Sequence, residues 1–242
     1  MIIKSICFQC GFEANVTAHG DVDQNLLVQM QCPYGHSQVN SIRNHLYEAL
    51  YHSAVDAYIS GFYSESVLGF NAALERAFEL FIKISLINEG LESNEIDNFW
   101  KEIRNQSERQ YGAFCIQYMK TTKKVWRADS EQVGFRNSVV HKGFIMPREK
   151  VSGFAEYVTQ RLLKIRRSLS SELIDASNMY EKMYLHAKEE EQRELCRKKG
   201  KTFVIHIPFQ HLDSNQLELK HEEITFERII EKYLKTKPDA TS

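Results

Sequence analysis

The sequence predicts a mainly α fold: a helical bundle preceded by a small, cysteine-bearing β module and followed by a C-terminal α/β extension. Three observations lead there. From Ile42 onward apolar residues recur at intervals of three and four over most of the chain, the period of an amphipathic helix. Three of the 5 cysteines lie before that point, where the period is absent. Only 4 Pro and 11 Gly in 242 residues argue against disorder and against a loop-rich all-β design. With 43% hydrophobic and 26% charged residues, the chain can bury a sizeable core.

The first module, residues 1–41, carries Cys7-Phe-Gln-Cys10 and then Cys32-Pro-Tyr-Gly-His36. A C-x-x-C turn presents two thiolates from one tight bend, with Gly11 just after it. The second turn offers a thiolate and an imidazole, with Pro33 and Gly35 setting the bend. Three thiolates and an imidazole suit the four tetrahedral positions of zinc. Between the turns, Phe12–Val16 and Leu26–Met30 read as strands of a hairpin around Gly20-Asp21. Two knuckles joined by a hairpin resemble a zinc ribbon. Cys7, Cys10, Cys32 and His36 are therefore the expected metal ligands, and four protein ligands make the metal structural, with no open position for a catalytic water. The odd cysteine count argues against a complete disulfide framework. A redox C-x-x-C lacks the βαβ surroundings it needs. Cys115 and Cys196 stand alone in helix-like sequence and read as small apolar residues.

The central region, residues 42–175, reads as helices. Leu46, Leu50, Ala54, Ala57 and Tyr58 form one stripe, ended by Ser60-Gly61. A long helix follows from Tyr63 to Asn88, closed by Glu89-Gly90. Shorter helices fit 94–104 and 107–119. Asp129 or Ser130 caps a helix through His141, with Gly143 just past its end. Pro147 opens the next helix, whose apolar stripe runs through Phe154, Leu162 and Leu173 and extends as far as Cys196. Such length suggests one face pairing with another helix or with a second subunit. In residues 176–242 the expected parts are the rest of that long helix, a short strand at Thr202–Pro208, a final helix over Ile224–Leu234 and a loose tail.

A net charge of -1, from 31 basic and 32 acidic residues, does not describe a chain that coats itself with nucleic acid, though local basic patches are compatible with it. No apolar run approaches the roughly 18 residues of a membrane helix. The opening MIIKSICFQC is too short and too rich in cysteine for a signal peptide, so the expected compartment is the cytoplasm.

One segment carries the makings of chemistry. Gly134–Gly143 reads GFRNSVVHKG, a polar cluster late in a helix whose other faces are apolar. Asn137 and His141 are four apart and share a face. Arg136 is five before His141, about 140° round the helix, but its long side chain can sweep toward the same cleft. His141 sits in the last turn, where the negative helix end favours imidazolium, so it is suited to moving protons near neutral pH. Arg136 is a fixed cation whose fork suits a phosphate. A phosphate-binding cation, a proton carrier and an orienting amide are what metal-free RNA cleavage requires, because the ribose 2′-hydroxyl is itself the nucleophile. The alternative for the pair is a helix-end ion pair and a capping histidine.

R-N-x-x-x-H near the end of a late helix, followed by a small residue, a short loop and a proline-started helix, resembles the HEPN domain superfamily. Asn71–Phe81 (NAALERAFELF) is similar to the second helix of those domains, and the similarity covers roughly residues 43–175. The resemblance implies that Arg136 and His141 are the catalytic pair of a metal-independent ribonuclease and that Asn137 supports them. It implies a homodimer in which two motifs share one cleft, and a toxin or antiviral defence effector with an antitoxin or defence-system partner protein. It also leaves open that Glu75 or Arg76 faces the cleft. Some members carry a tyrosine two residues after the histidine, the target of a silencing nucleotidyltransferase. That position here is Gly143, so the resemblance does not extend to that form of neutralisation.

Lys120, Lys123, Lys124 and Arg127 form a basic run around Trp126, directly before the motif helix. With Lys142, they are the expected RNA contacts, by phosphate neutralisation and by stacking on the indole. Arg161, Lys164, Arg166 and Arg167, and the run Arg197–Lys201, read as solvated faces. Three functions compete at this stage. They are a small endoribonuclease with a zinc ribbon, a catalytically silent adaptor binding nucleic acid or protein, and a zinc-dependent dimeric scaffold.

Overall fold

Strands come first, where short alternating segments are pinned between turns. The computed structural model describes residues 2–11, 14–23, 25–42, 44–199, 204–207 and 224–236. Strands β1 (Ile2–Ile6), β2 (Thr17–Val22), β3 (Leu27–Gln31) and β4 (Ser37–Ile42) form an antiparallel sheet in sequence order. The helices are α1 (Leu46–Ile59), α2 (Tyr63–Asn88), α3 (Ser93–Ile103), α4 (Ser107–Thr122), α5 (Ser130–Lys142), α6 (Arg148–Ser171), α7 (Ile174–Lys199) and α8 (Phe226–Thr236), with strand β5 (Val204–Ile207) between the last two. The fold is mainly helical, with the small sheet preceding the helices, as the sequence predicts. The chain divides into two compact units, Met1–His45 with Glu181–Gln210 and Leu46–Tyr180 with His211–Ser242.

In the first unit the hairpin is displaced from its expected position. Gly20 and Asp21 lie inside β2, paired with Met30 and Gln29. A Cβ on Gly20 would sit 2.1 Å from the Gln29 carbonyl oxygen, so this glycine serves a close strand approach instead of a turn. The turn is at Asp23–Leu26. The Asp23 carboxylate accepts from the backbone N–H of Asn25 and Leu27, and Leu26 takes a left-handed φ of 59°. Ala14 to Val16 precede β2 without belonging to a strand, and Phe12 lies outside the described residues. Strand β5 pairs in parallel with β4 and completes the sheet. The strand expected at Thr202–Pro208 is thus part of the amino-terminal sheet, and its residues 202, 203 and 208 lie outside the described residues, as do 200, 201 and 237–242.

The carboxyl-terminal half of α7 packs on this sheet through polar groups. Lys188, 8% exposed, donates to the Ile42 carbonyl at 2.7 Å. Tyr184 donates to the Asn44 carbonyl, and His45 pairs with Glu181. Burial pushes the Lys188 ammonium down to about 8, against the opposing pull of Glu191, Asp23 and Glu181.

In the second unit α2 is the axis. Its buried face includes Val67, Phe70, Ala73, Leu74, Ala77 and Phe81, and α1, α4, α5 and α6 pack around it. Helix α1 crosses closely because Gly69 has no side chain. A Cβ there would come within 2.9 Å of the Ala54 Cβ, and Ser66 Oγ donates to the Ala54 carbonyl beside it. Tyr51 and Thr159 share a buried hydrogen bond at 2.7 Å, tying α1 to α6. The expected continuous helix from Pro147 toward Cys196 is broken at Glu172-Leu173. Ser170 and Ser171 both turn their hydroxyls onto the Arg167 carbonyl, which competes with helix continuation. Leu173 is buried in the core at the break.

The Lys188 shift fixes a pH dependence. Its folded value lies below the ordinary 10.5, so the native state carries a burial penalty wherever the amine is charged. That penalty is fully present below pH 8 and is relieved between about 8 and 10.5, where the unfolded chain binds the extra proton. Chemical denaturation between pH 8 and 10 should show Lys188→Met losing a rising stability component that the wild type has. Parallel pH profiles for the two proteins would contradict this.

Candidate functional site

Two sites stand out, one in each unit. In the first, Cys7 follows β1 and Cys10 sits at the end of the turn after it. Gly11, with φ of 82°, closes that knuckle. Cys32 follows β3, and His36 precedes β4. Cys32 N–H donates to the His36 carbonyl and Gly35 N–H to the Cys32 carbonyl, with Gly35 at φ 83°. The glycine in each knuckle takes the backbone conformation that other residues resist. The four ligand atoms lie within 4.8 Å of one another. Cys10 Sγ is 3.9 Å from Cys32 Sγ and 3.2 Å from His36 Nδ1, and Cys7 Sγ is 3.8 Å from that nitrogen. Cys7, Cys10, Cys32 and His36 are therefore close enough to bind a metal ion together.

The electrostatics fit that role. Burial and the neighbouring Cys7 and Cys32 thiols push the Cys10 thiol up to about 12. Burial also pushes Cys32 up, but the Tyr34 and His36 backbone N–H groups and the Cys7 and Cys10 thiols outweigh it and bring Cys32 below its usual value. Thiols so crowded resist shared ionisation until a cation neutralises them. Gln38 holds the cluster's frame and was not legible as a functional residue. It is 3% exposed. Its Oε1 accepts from Phe8 N–H and its Nε2 donates to the Ile6 carbonyl, both at 3.1 Å. Both bonds flank Cys7.

In the second unit a cleft of about 570 Å³ lies between α2, the start of α4, α5 and α6. Arg136, Asn137 and His141 all line it. Helix α5 is set by Asp129, whose carboxylate accepts from Glu131 and Gln132 N–H, and by Gly143, which ends it at φ 66°. Arg136 Nη1 donates to Asn137 Oδ1 at 2.8 Å, so the amide orients the guanidinium. His141 is exposed and Arg136 half-buried, which leaves both reachable by a polymer lying along the cleft.

Helix α2 contributes Glu75 to the cleft, while Arg76 turns away. Arg76 pairs with Glu79 at 2.6 Å and donates to Gln110. The sequence places these two side by side; the helical rotation between neighbours is what separates their roles. Asn71, one turn before Glu75, donates to its Oε1 at 3.1 Å.

The basic run is only partly free. Lys120 pairs with Glu89. Lys123 adopts a left-handed φ of 58° as the cap of α4, and its ammonium donates to the Lys120 carbonyl. Lys124, Arg127 and Lys142 are exposed, with the Lys142 ammonium 6.0 Å from the Phe144 ring centre. Trp126 corrects the expectation of an indole open to stacking. It is 5% exposed, set edge-on against Phe114 and Tyr118 with centroids at 4.9 Å. Arg161 and Lys164 lie over its ring at 4.8 and 5.0 Å. Those two cations are therefore occupied by aromatic faces instead of forming a plain solvated stripe.

Comparison of the chain with protein-family models, curated proteins and solved structures finds no match.

The Gln38 clamp yields a measurable consequence for the metal-ligand cluster. Gln38→Ala strands the Phe8 N–H and should cost about 1–3 kcal/mol. The expected result is a lower melting temperature and faster metal loss to a chromogenic chelator, with Gln31→Ala, on the exposed face of β3, behaving like wild type. Equal chelation rates for all three proteins would remove Gln38 from the account of the site.

Proposed function

We propose that this chain is a metal-independent endoribonuclease on a HEPN-like helical frame, cutting RNA by attack of the ribose 2′-hydroxyl on the adjacent phosphate. The observation that carries the reading is the shared cleft of Arg136, Asn137 and His141. In this reaction His141 accepts the 2′-hydroxyl proton as the 2′ oxygen bonds to phosphorus. The bond to the 5′ oxygen breaks, and that oxygen leaves with a proton supplied by solvent or by the imidazole of a second copy. The products are a 2′,3′-cyclic phosphate and a 5′-hydroxyl. Arg136, steadied by Asn137, holds the phosphate and meets the charge that grows on its oxygens. Lys142, Lys124 and Arg127, which are exposed, are read together with Lys120 and Lys123 as contacts to the RNA backbone.

The Cys3His set is read as a structural zinc site. Zn–S near 2.3 Å and Zn–N near 2.0 Å in a tetrahedron give ligand–ligand edges of about 3.5–3.8 Å. The sulfur–sulfur separation of 3.9 Å and the sulfur–nitrogen pair of 3.2 and 3.8 Å bracket that value. Such a centre would hold the ribbon's shape and take no part in bond cleavage. Homodimerisation is supported by Val140, Phe144 and Ile145, exposed apolar residues within and just after the motif helix. A toxin or antiviral defence role in the cytoplasm, with an antitoxin or defence-system partner, follows the HEPN resemblance.

One observation favours a second reading, a catalytically silent adaptor. Tyr34 is 73% exposed between the two ligands of the second knuckle, an amphipathic ring well placed to contact nucleic acid or protein.

Purified protein incubated with total RNA in EDTA separates the two. Cleavage should survive chelation, give cyclic-phosphate ends and fall by about 10²-fold or more in Arg136→Ala and His141→Ala. Identical RNA profiles for wild type and both variants would leave the adaptor. Elemental analysis should independently find about one zinc per chain, lost in Cys7→Ser or Cys32→Ser together with thermal stability. Metal-free protein that melts unchanged would overturn the zinc assignment.

A further inference from the structure

The cleft is larger than phosphate chemistry alone requires. Besides Arg136 and His141, its lining includes the aromatic residues Phe78, Tyr111, Trp126 and Tyr157. Phe78 and Trp126 are buried, with Phe78 stacked on Phe114 at 4.2 Å, and Tyr111 and Tyr157 are the half-buried aromatic residues of the lining. Beside these rings the half-buried Glu75 lines the same cleft. Its neighbours on α2 neutralise one another, Glu79 pairing with both Arg76 and Lys83. Among the described residues Glu75 has no ion pair. Its bond from Asn71 fixes its direction and, since a carboxylate has about four acceptor positions, leaves it able to accept more. The cleft's other carboxylate, Glu108, is exposed. Tyr111 stays a neutral donor, because burial first and the Cys115 side chain second push its hydroxyl up.

Aromatic walls around a fixed carboxylate, beside a cation suited to phosphate, match one unstacked nucleotide. We propose that this cleft receives a nucleobase of the RNA next to the scissile phosphate and that Glu75 selects guanine. Guanine is the only common base whose pairing edge offers two adjacent donors, N1–H and the N2 amino group, to the two oxygens of one carboxylate. Adenine and cytosine offer a single amino donor beside an unprotonated ring nitrogen, which would face a carboxylate oxygen. Uracil offers one N–H flanked by two carbonyls. A site built to satisfy both donors rejects the other bases by leaving charge against lone pairs. Single-stranded RNA permits this readout, because its bases can be splayed out, stacked on aromatic side chains and bonded on the pairing edge. Glu75 is then a specificity-determining residue, and the inference rests on the ribonuclease reading of the same cleft.

The test uses binding, so that it does not depend on cleavage. The full chain is titrated calorimetrically with the 3′-monophosphates of guanosine, adenosine, cytidine and uridine. The guanosine nucleotide should bind about tenfold or more tightly than the others, the discrimination expected of a good bidentate pair. Glu75→Gln, which replaces one acceptor by a donor at equal size, should compress the four affinities to within about twofold. A short single-stranded RNA carrying one guanosine with a 2′-deoxy sugar should displace the nucleotide, and the same strand with adenosine should not. Equal affinities in the wild type, or a ranking that Glu75→Gln leaves intact, overturns the proposal. Displacement failing with the RNA would assign the cleft to free guanine nucleotides and overturn it as an RNA site. The wild-type ranking needs no variant, so misfolding of Glu75→Gln cannot shelter the idea. Guanine preference without RNA cleavage would sink the ribonuclease reading alone, and cleavage without base preference would sink only the inference drawn here.

Discussion

Helix α2 has to be buried on most of its circumference for the second unit to exist. Thirteen of its 26 residues are removed from water, and they meet α1 on one side and α4, α5 and α6 on the others. A helix surrounded in this way carries its charges where they satisfy each other, where they face a cavity or, as at Glu65 in its first turn, where water still reaches. Glu79 does the first, held between Arg76 and Lys83 on the same helix. Glu75 does the second. The cleft is thus a consequence of packing: it is the space that α4, α5 and α6 leave beside Asn71 and Glu75 of α2. Burying such a helix removes a large apolar area from water, the dominant favourable term in folding, and the same packing leaves the Glu75 carboxylate lining the groove.

Much of this was legible in the sequence, and the reasons are local. The bounds of α2 follow from an apolar repeat, from Gly61 before it and from Gly90 after it. Those of α5 follow from Asp129 and Gly143, whose capping roles are set by side-chain and backbone chemistry within a few residues. The metal-ligand cluster was legible because both knuckles are short-range turns. Features that depend on distant partners were not. Strand β4, Ser37–Ile42, buries Gln38, Asn40 and Ser41, so it lacks the alternation that announces a strand. Gly20 suggested a turn but lies in β2, because the close approach of Gln29 cannot be read from neighbours in sequence. The break before α7 is not registered by apolar spacing, because the buried Leu173 continues the stripe through it. In the cleft, the motif helix identified Arg136, Asn137 and His141. The inward turn of Glu75 and the burial of Trp126 required the tertiary packing.

The two units use buried polarity in different ways. Around the cysteine cluster, polar groups hold the backbone: Gln38 braces both sides of Cys7, and Lys188 anchors α7 to the end of β4. These bonds are made where water is excluded, so each matters more for what its loss would strand than for its net contribution. In the helical unit, the buried hydroxyl pair of Tyr51 and Thr159 ties helices together. The aromatic cluster of Phe78, Phe114, Tyr118 and Trp126 supplies a firm apolar wall. Arg161 and Lys164 seal that wall from outside by lying across the indole. A rigid wall of this kind is what a groove needs if it is to distinguish between ligands of similar size.

The parallel pairing of β4 with β5 has a consequence for the order of assembly. During translation β4 leaves the ribosome early, and its outer edge has no partner until β5 emerges after α1 to α7 have been made. An unpaired edge is an adhesive surface for other strands, and such long-range closure is slow. The nascent sheet therefore spends most of synthesis with one flank of β4 open, while the ribosome is still adding helices.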